Sequence, residues 1–309
     1  MRVTLLSGGT GGAKLARGLM DVLAEDELTV IANTGDDVEV HGVHVSPDPD
    51  LVTYRLADVL DERGYGIRDD TWEVMSALEA AGRPVWFRLG DRDLAMCLIR
   101  TELLAAGERL TKAHAAVVKA MGLRARVLPM ADEPVRTRVQ AGGRAVPFQE
   151  FMIALGARGP IEGVELAGLG QARPTPEALA ALAEADAIVI GPSNPVASIG
   201  PILALPGMRE ALSAACAPVV AVSPFVGGEV LKGPTALFCE HAGIRLDARG
   251  MLDAYPGLLD GVVADELVAG IPALRTETLI DSLERQRRLA TDTLDFAASL
   301  HAASRDSAS

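Results

Sequence analysis

Two runs near the start of the chain hold the residues best suited to chemistry. The first is Gly8-Gly9-Thr10-Gly11-Gly12, with Lys14 close behind. Glycines remove the Cβ atoms that keep an anion away from backbone N–H groups, and a helix starting there adds the positive end of its dipole. Gly9, Thr10, Gly11, Gly12 and Lys14 are therefore candidate phosphate contacts. Neither common nucleotide fingerprint is met. Counted from Gly9, the third glycine of G-x-G-x-x-G falls on Lys14, and the hydroxyl residue of a Walker A loop falls on Leu15. A tight turn with close helix–sheet packing is the plain alternative for the glycines, and a solvated helix position for Lys14.

The second run joins Asn33-Thr34-Gly35-Asp36-Asp37 to Ser46-Pro47-Asp48-Pro49-Asp50 across a short β-like excursion, Val38–Val45. Asn33 and Thr34 are candidate substrate contacts, and four carboxylates follow them. Hard divalent cations take oxygen ligands and keep several waters, so one or two carboxylates and a substrate phosphate complete a site. Such a metal neutralises charge on the non-bridging oxygens of a transferred phosphoryl group while a carboxylate orients the attacking hydroxyl. Asp37 and Asp50 lead as functional candidates. Asp36 and Asp48 stand behind them, because turns and helix caps account for many aspartates in such loops.

Two further loops qualify. In Gly191-Pro192-Ser193-Asn194-Pro195-Val196-Ala197-Ser198 a tight turn explains the glycine and prolines. Ser193, Asn194 and Ser198 are left to hydrogen-bond a nucleotide. No G-x-S-x-G elbow is present, so a serine hydrolase is a weak reading. In Arg88-Leu89-Gly90-Asp91-Arg92-Asp93, Arg88 is a candidate for lining an acceptor pocket, Asp93 reads as an N-cap and Asp91 as an ion-pair partner of Arg92. Trp86 and Phe87 offer a wall for a flat ring, with core packing as the alternative. His41 and His44 are three apart and face opposite sides of a strand, which argues against a histidine metal site. His114, His241 and His301 read as structural or solvent-facing.

These loops need a scaffold. Val3–Leu6, a helical repeat of Leu15, Leu19 and Leu23, and Leu28–Ala32 read as a βαβ unit, which implies a parallel sheet. Asp186–Ile190 and Pro218–Val222 are short apolar strands of the kind buried on both faces, and Leu259–Val263 is a further candidate. Helical periodicity over Leu51–Arg63, Asp70–Ala81, Asp93–Ala106 and Thr111–Met121 predicts a helical subdomain inserted over 50–122. Alternation around Gly142-Gly143 predicts a hairpin, and the polar tail Ala302–Ser309 is expected to fray. The expected fold is α/β and Rossmann-like: one three-layer domain over 1–309 with a mostly parallel central sheet. Ligands of such sheets bind outside the carboxyl ends of the strands, so the loops after the first two strands and those at Ser193 and Ser223 should converge.

Composition narrows the chemistry. The net charge of −13 over 309 residues argues against non-specific nucleic-acid binding, which needs a basic face. Cys97, Cys216 and Cys239 are isolated, so a disulfide framework or thiolate zinc site is not expected and a reducing cytoplasm is. The first residues run straight into the glycine loop with no secretory core, and no apolar run reaches the roughly 20 residues of a membrane span.

Read in order, SGGTGGAKLARGL, NTGDDVEVHGVHVSPDPDLVTY, RLGDRDLA, GPSNPVASIGPIL and VSPFVGG lie between Ser7 and Gly228. Together they resemble the 2-phospho-L-lactate transferases of deazaflavin coenzyme F-420 biosynthesis. The resemblance implies a magnesium-dependent transfer. A guanosine diphosphate-linked three-carbon acid is the donor, the ribityl hydroxyl of the deazaflavin Fo is the acceptor, and GMP leaves. It further implies that Asp50 and Arg88 contact Fo, that Asp37 and Asp50 bind the metal, and that the protein forms a homodimer. Lactate, enolpyruvate and glycerate donors all stay open, and beyond Gly233 the chain carries no motif. Two rivals remain. A nucleotide-binding regulator has no need of the paired aspartates in SPDPD. An NAD-dependent dehydrogenase has an acidic residue available in Asp36 but lacks its third loop glycine.

Overall fold

The computed structural model describes residues 1–24, 26–230 and 233–307. Seven strands form its central sheet: β1 (Val3–Ser7), β2 (Leu28–Ala32), β3 (Arg126–Pro129), β4 (Ala187–Ile190), β5 (Val219–Val222), β6 (Gly261–Ala264) and β7 (Ala273–Arg275). The order is β7-β6-β5-β4-β1-β2-β3, and every pairing is parallel. The α/β, Rossmann-like expectation holds. The chain starts in the middle of the sheet, builds outward through β2 and β3, then restarts on the other side of β1. That reversal places a crevice between β1 and β4, where open α/β sheets take their ligands.

Continuous apolar strands follow from burial on both faces. Leu5, Val30, Val189 and Val220 point into one core with helix α1 (Gly9–Val22), while Leu6, Ile31, Ile190 and Ala221 point into the other. Registers are level: Ser7 lies beside Ala32, and Leu6 beside both Ile31 and Ile190. The loops leaving β1, β2 and β4 therefore start at nearly the same height.

Four helices, α2 (Pro47–Leu56), α3 (Glu73–Ala80), α4 (Asp91–Ala105) and α5 (Leu110–Ala120), fill the connection between β2 and β3. The segment 50–122 divides between two cores. Val52, Leu56 and Val118 join the main core, whereas Met75, Leu94 and Cys97 form a separate cluster with the hairpin of Val38–Val40 and Val43–Val45. Helical periodicity overran two ends. The chain leaves α2 at Leu56 because Asp58 adopts φ 56°, and α3 begins only at Glu73 because Asp69 turns at φ 54° and Asp70 caps α4.

The expected hairpin is present: Arg136–Ala141 pairs with Arg144–Pro147 and, on its other side, with Gly163–Ala167. Among the described residues no helix is long and apolar enough to cross a membrane. The unassigned C-terminal quarter ends in the helix Leu283–Ser307, which continues into the tail expected to fray; residues 308–309 lie outside the described ones.

That last helix packs on α1 at Gly18, where a Cβ would stand 2.2 Å from the Gln286 carbonyl oxygen. Helix propensity favours alanine over glycine by about 1 kcal/mol, but backbone against backbone cannot give way cheaply. We expect Gly18→Ala to destabilise the protein by about 1–3 kcal/mol, read from the denaturant midpoint. A stabilised variant would show that the two helices are not held in this contact.

Candidate active site

The site is assembled where β1, β2 and β4 end. Its first loop turns at Gly9, which has φ 63° and where a Cβ would meet only Ser198 Oγ at an ordinary 3.9 Å, so the backbone itself calls for glycine there. The other glycines answer to packing. A Cβ on Gly11 would stand 2.0 Å from the Pro192 carbonyl oxygen, and one on Gly12 2.2 Å from Ser7 Oγ and 2.6 Å from Ser193 Oγ. One on Gly8 would meet Ser198 Cβ at 2.6 Å and Asp48 Oδ2 at 2.7 Å. Glycines let the start of α1 nest into the 191–198 loop, so the packing alternative accounts for Gly8, Gly11 and Gly12. Thr10 and Lys14 are half-buried on the same helix.

The same loop is tied to the acidic one. Gly9 N–H donates to Asp48 Oδ1 at 2.7 Å, and Gly8 N–H donates to Ser193 Oγ at 3.2 Å. A carboxylate thus sits on the positive end of α1. Asn33 joins three loops: its amide donates to Asp48 Oδ2 at 3.0 Å and to Ala197 O at 3.5 Å, while its side-chain oxygen accepts from Gly35 N–H at 2.8 Å. Asn194 shapes its own loop, accepting from Val196 N–H and Ala197 N–H at 2.9 and 3.0 Å. Ser198 Oγ lies against Gly8 and Gly9.

Asp37 is held at both oxygens, by Ser46 Oγ at 2.8 Å and His44 Nε2 at 2.9 Å. His44 Nδ1 meets Glu39 at 2.6 Å. Sequence reasoning passed over this histidine because it treated residues 38–45 as one straight strand. The chain instead reverses at His41-Gly42, which sets His44 directly across from Glu39. Burial works against charge on His44, but the hydrogen bond and charge of Asp37, helped by Glu39, hold its pKa above the ordinary value.

Asp50 has a different environment from the one expected. The guanidinium of Arg100, fully buried, grips both its oxygens, with Nη1 at 3.1 Å from Oδ2, and also donates to His44 O at 3.2 Å. Burial raises the Asp50 pKa despite that pull. His114, also fully buried, stacks its ring nitrogens between Arg100 and Thr53, and burial and the Arg100 charge push it well below its ordinary range. No motif pointed to Arg100. Its role depends on α2, α4 and α5 meeting.

Asp36 and Asp48 are the unrelieved pair. Burial and the charge of Asp48 push Asp36 well above the usual carboxylate range, against the help of Asn33. Burial lifts Asp48 to about 6, although Asn33 and Gly9 donate to it, and Asp37 adds to the rise. Asp36 Oδ1, Ser7 Oγ, Thr34 Oγ1 and Thr137 Oγ1 are buried with no hydrogen-bond partner among the described residues. Crowded like charges beside unpaired oxygens suit a divalent cation. A second acidic group, Asp50, Asp93 and Cys97, brings ligand atoms within 4.8 Å of one another. There Arg100 already supplies the cation.

The Arg88 loop lies elsewhere in its contacts: its guanidinium pairs with Glu79 and lies 5.5 Å from the centre of the Trp72 ring. The capping expectation around it is corrected. Asp70 caps α4 by accepting from Arg92 N–H and Asp93 N–H, and Asp91 caps α3 by accepting from Glu73 N–H and Val74 N–H. Asp93 itself accepts from Tyr54 Oη at 2.8 Å. Phe87 is buried against the 38–45 hairpin while Trp86 remains partly exposed.

Residues 3–299 match the family model described as 2-phospho-L-lactate transferase CofD. The chain belongs to this family. It is 40% identical to a phosphoenolpyruvate transferase of Kitasatospora aureofaciens, over 96% of this chain and 98% of that one. It is 38% identical to a 2-phospho-L-lactate transferase of Methanosarcina mazei, over 93% and 97%. A solved UPF0052 family protein from Bacillus halodurans shares the fold, with a TM-score of 0.61 at 17% identity over 95% of this chain and 98% of that one. As a CofD-family member the chain is a transferase.

The helical wall of this transferase titrates. Burial, then the charge of Asp50, push Asp93 to about 7 against Tyr54 and Arg100. The folded state therefore holds this proton more tightly than the unfolded chain. The resulting stability is present below about pH 4 and is lost as pH rises through about 7. Asp93→Asn, which keeps an acceptor for Tyr54, should match the parent near pH 4 and exceed it near pH 8 by up to about 4 kcal/mol. Equal denaturant midpoints at the higher pH would contradict the shift.

Proposed function

We propose that this CofD-family transferase moves a phosphorylated three-carbon acid from a GDP-linked donor to the ribityl hydroxyl of Fo, in coenzyme F-420 biosynthesis. The observation that carries the reading is the Gly9–Asp48 hydrogen bond, because it joins the candidate phosphate loop to the acidic loop at the sheet's crevice. Relatives named phosphoenolpyruvate transferase and 2-phospho-L-lactate transferase support the class of group transferred. The buried acidic quartet favours turnover over a regulator that only binds.

Magnesium would be held by Asp37 with Asp36, whose Oδ1 has no donor, and with Asp48, and when bound it supplies charge neutralisation for the phosphoryl oxygens. Asp50 is better suited to the acceptor than to the metal, since Arg100 already balances its charge. Its raised pKa lets it orient the Fo hydroxyl and take its proton. The hydroxyl oxygen bonds to the phosphorus that carries the acid, and the bond from that phosphorus to the GMP oxygen breaks. Ser46 and His44 keep Asp37 in one orientation. Ser193 and Ser198 line the β4 side, where the guanosine end of the donor would lie.

Incubation with Fo, magnesium and each guanylylated acid, followed by product mass, tests the reaction; no F-420 precursor from any donor would end the proposal. Asp37→Asn should lower kcat by about 100- to 1,000-fold with an unchanged melting curve. A variant of near-parental rate would remove Asp37 from the metal site.

A further inference from the structure

A cavity of about 310 Å³ opens beside the acidic loop, between residues 35–39 and the small three-stranded sheet. Its lining includes Asp36, Asp37 and Glu39 from the acidic loop, with the Asp37 side chain fully buried, and Arg136, Thr137, Arg138 and Phe148 from the sheet side. The two walls are fixed to each other, because Thr137 N–H donates to Gly35 O at 2.7 Å. Thr137 Oγ1 lies against the same glycine, where a Cβ would come within 2.6 Å.

Arginines and carboxylates line the same cavity. Arg136 and Arg138 are two apart on a strand and so project to one face, while Thr137 and Val139 are buried on the other. Their guanidinium groups rest on neutral carbonyls, Arg136 on Val135 O at 3.0 Å and Arg138 on Ala145 O at 3.4 Å. Neither makes an ion pair among the described residues, although Glu165 stands across from Arg138 in the sheet. On the opposite wall Asp36 Oδ1 is buried without a partner, and so is Thr137 Oγ1, which points to the other face of the strand from the arginines and lies against Gly35. A ligand that satisfies both walls carries an anion at one end, and at the other a phosphate that meets the carboxylates through a cation. The volume suits a small molecule of this kind and lies at the low end for ligand pockets.

Resting on the function proposed above, we infer that Arg136 and Arg138 receive the carboxylate of the three-carbon acid that the donor carries, making this strand the wall that selects acid-bearing donors. In lactate and enolpyruvate donors the carboxylate neighbours the carbon that bears the phosphate. A phosphate held at Asp36 and Asp37 therefore points the carboxylate across the cavity. Two guanidinium groups recognise the class rather than a member of it, by charge-assisted hydrogen bonds that a neutral group cannot match.

The test compares GDP, guanosine diphospholactate and its neutral carboxamide analogue by calorimetry with magnesium present. The parent protein should bind the acid about 10- to 100-fold more tightly than the carboxamide. In Arg136→Ala/Arg138→Ala that ratio should fall close to one, with GDP affinity and the melting curve unchanged, and Arg136→Lys should restore part of it. A ratio that survives the double substitution overturns the inference. So does a matching loss for GDP, which would mean that the arginines hold the diphosphate, and so does a selective loss of Fo affinity, which would give the cavity to the acceptor. If the parent protein binds GDP but does not distinguish acid from carboxamide, the inference alone falls. If it binds no guanosine diphosphate at all, the donor reading falls and takes the inference with it.

Discussion

Four buried aspartates at the end of two neighbouring strands repel one another, and the architecture around them is organised to hold them there. Each of three carboxylates is given donors from a different direction: Gly9 and Asn33 for Asp48, Ser46 and His44 for Asp37, and Arg100 for Asp50. Asp36 keeps an oxygen with no donor. Removing charge from water without full compensation costs stability, and that cost is tolerated at places where a ligand later supplies the missing partner. The asymmetry among the four is informative. Burial raises all three pKa values, but Asp50 has the Arg100 guanidinium bonded to it, whereas among the described residues Asp36 and Asp48 have no basic side chain beside them.

Level strand registers make this crowding possible. Because Ser7, Ala32 and Ile190 end their strands at nearly the same height, three loops meet within hydrogen-bonding distance. The glycines of the first loop serve that meeting. With a Cβ on Gly11 or Gly12, α1 would be pushed off the loop after β4, and Gly9 would lose its place against Asp48. Close backbone approach is used here between parts of the protein itself.

The helical connection between β2 and β3 contributes from behind. It brings Arg100 and His114 against Asp50, and Tyr54 against Asp93, in a cluster that is almost wholly buried. Ion pairs of this depth are weak sources of net stability but strong constraints on geometry, since breaking one side strands the other. Arg100 thereby fixes the orientation of the Asp50 carboxylate.

Local information determined the strands, the parallel sheet, the glycine and acidic loops and the family, because continuous apolar runs and chemically specific loops are written in neighbouring residues. The motifs also placed Asp36, Asp37, Asp48 and Asp50 in one region. Which carboxylate carries which burden was decided only by folding. Arg100 reaches Asp50 across a separation of 50 residues, Ser193 reaches Gly8 across 185, and Asp70 rather than Asp93 caps α4. His44 joined the site because two residues of left-handed backbone turned one apparent strand into a hairpin. Charge balance at a buried group is a sum over everything packed around it, and no window of sequence contains that sum.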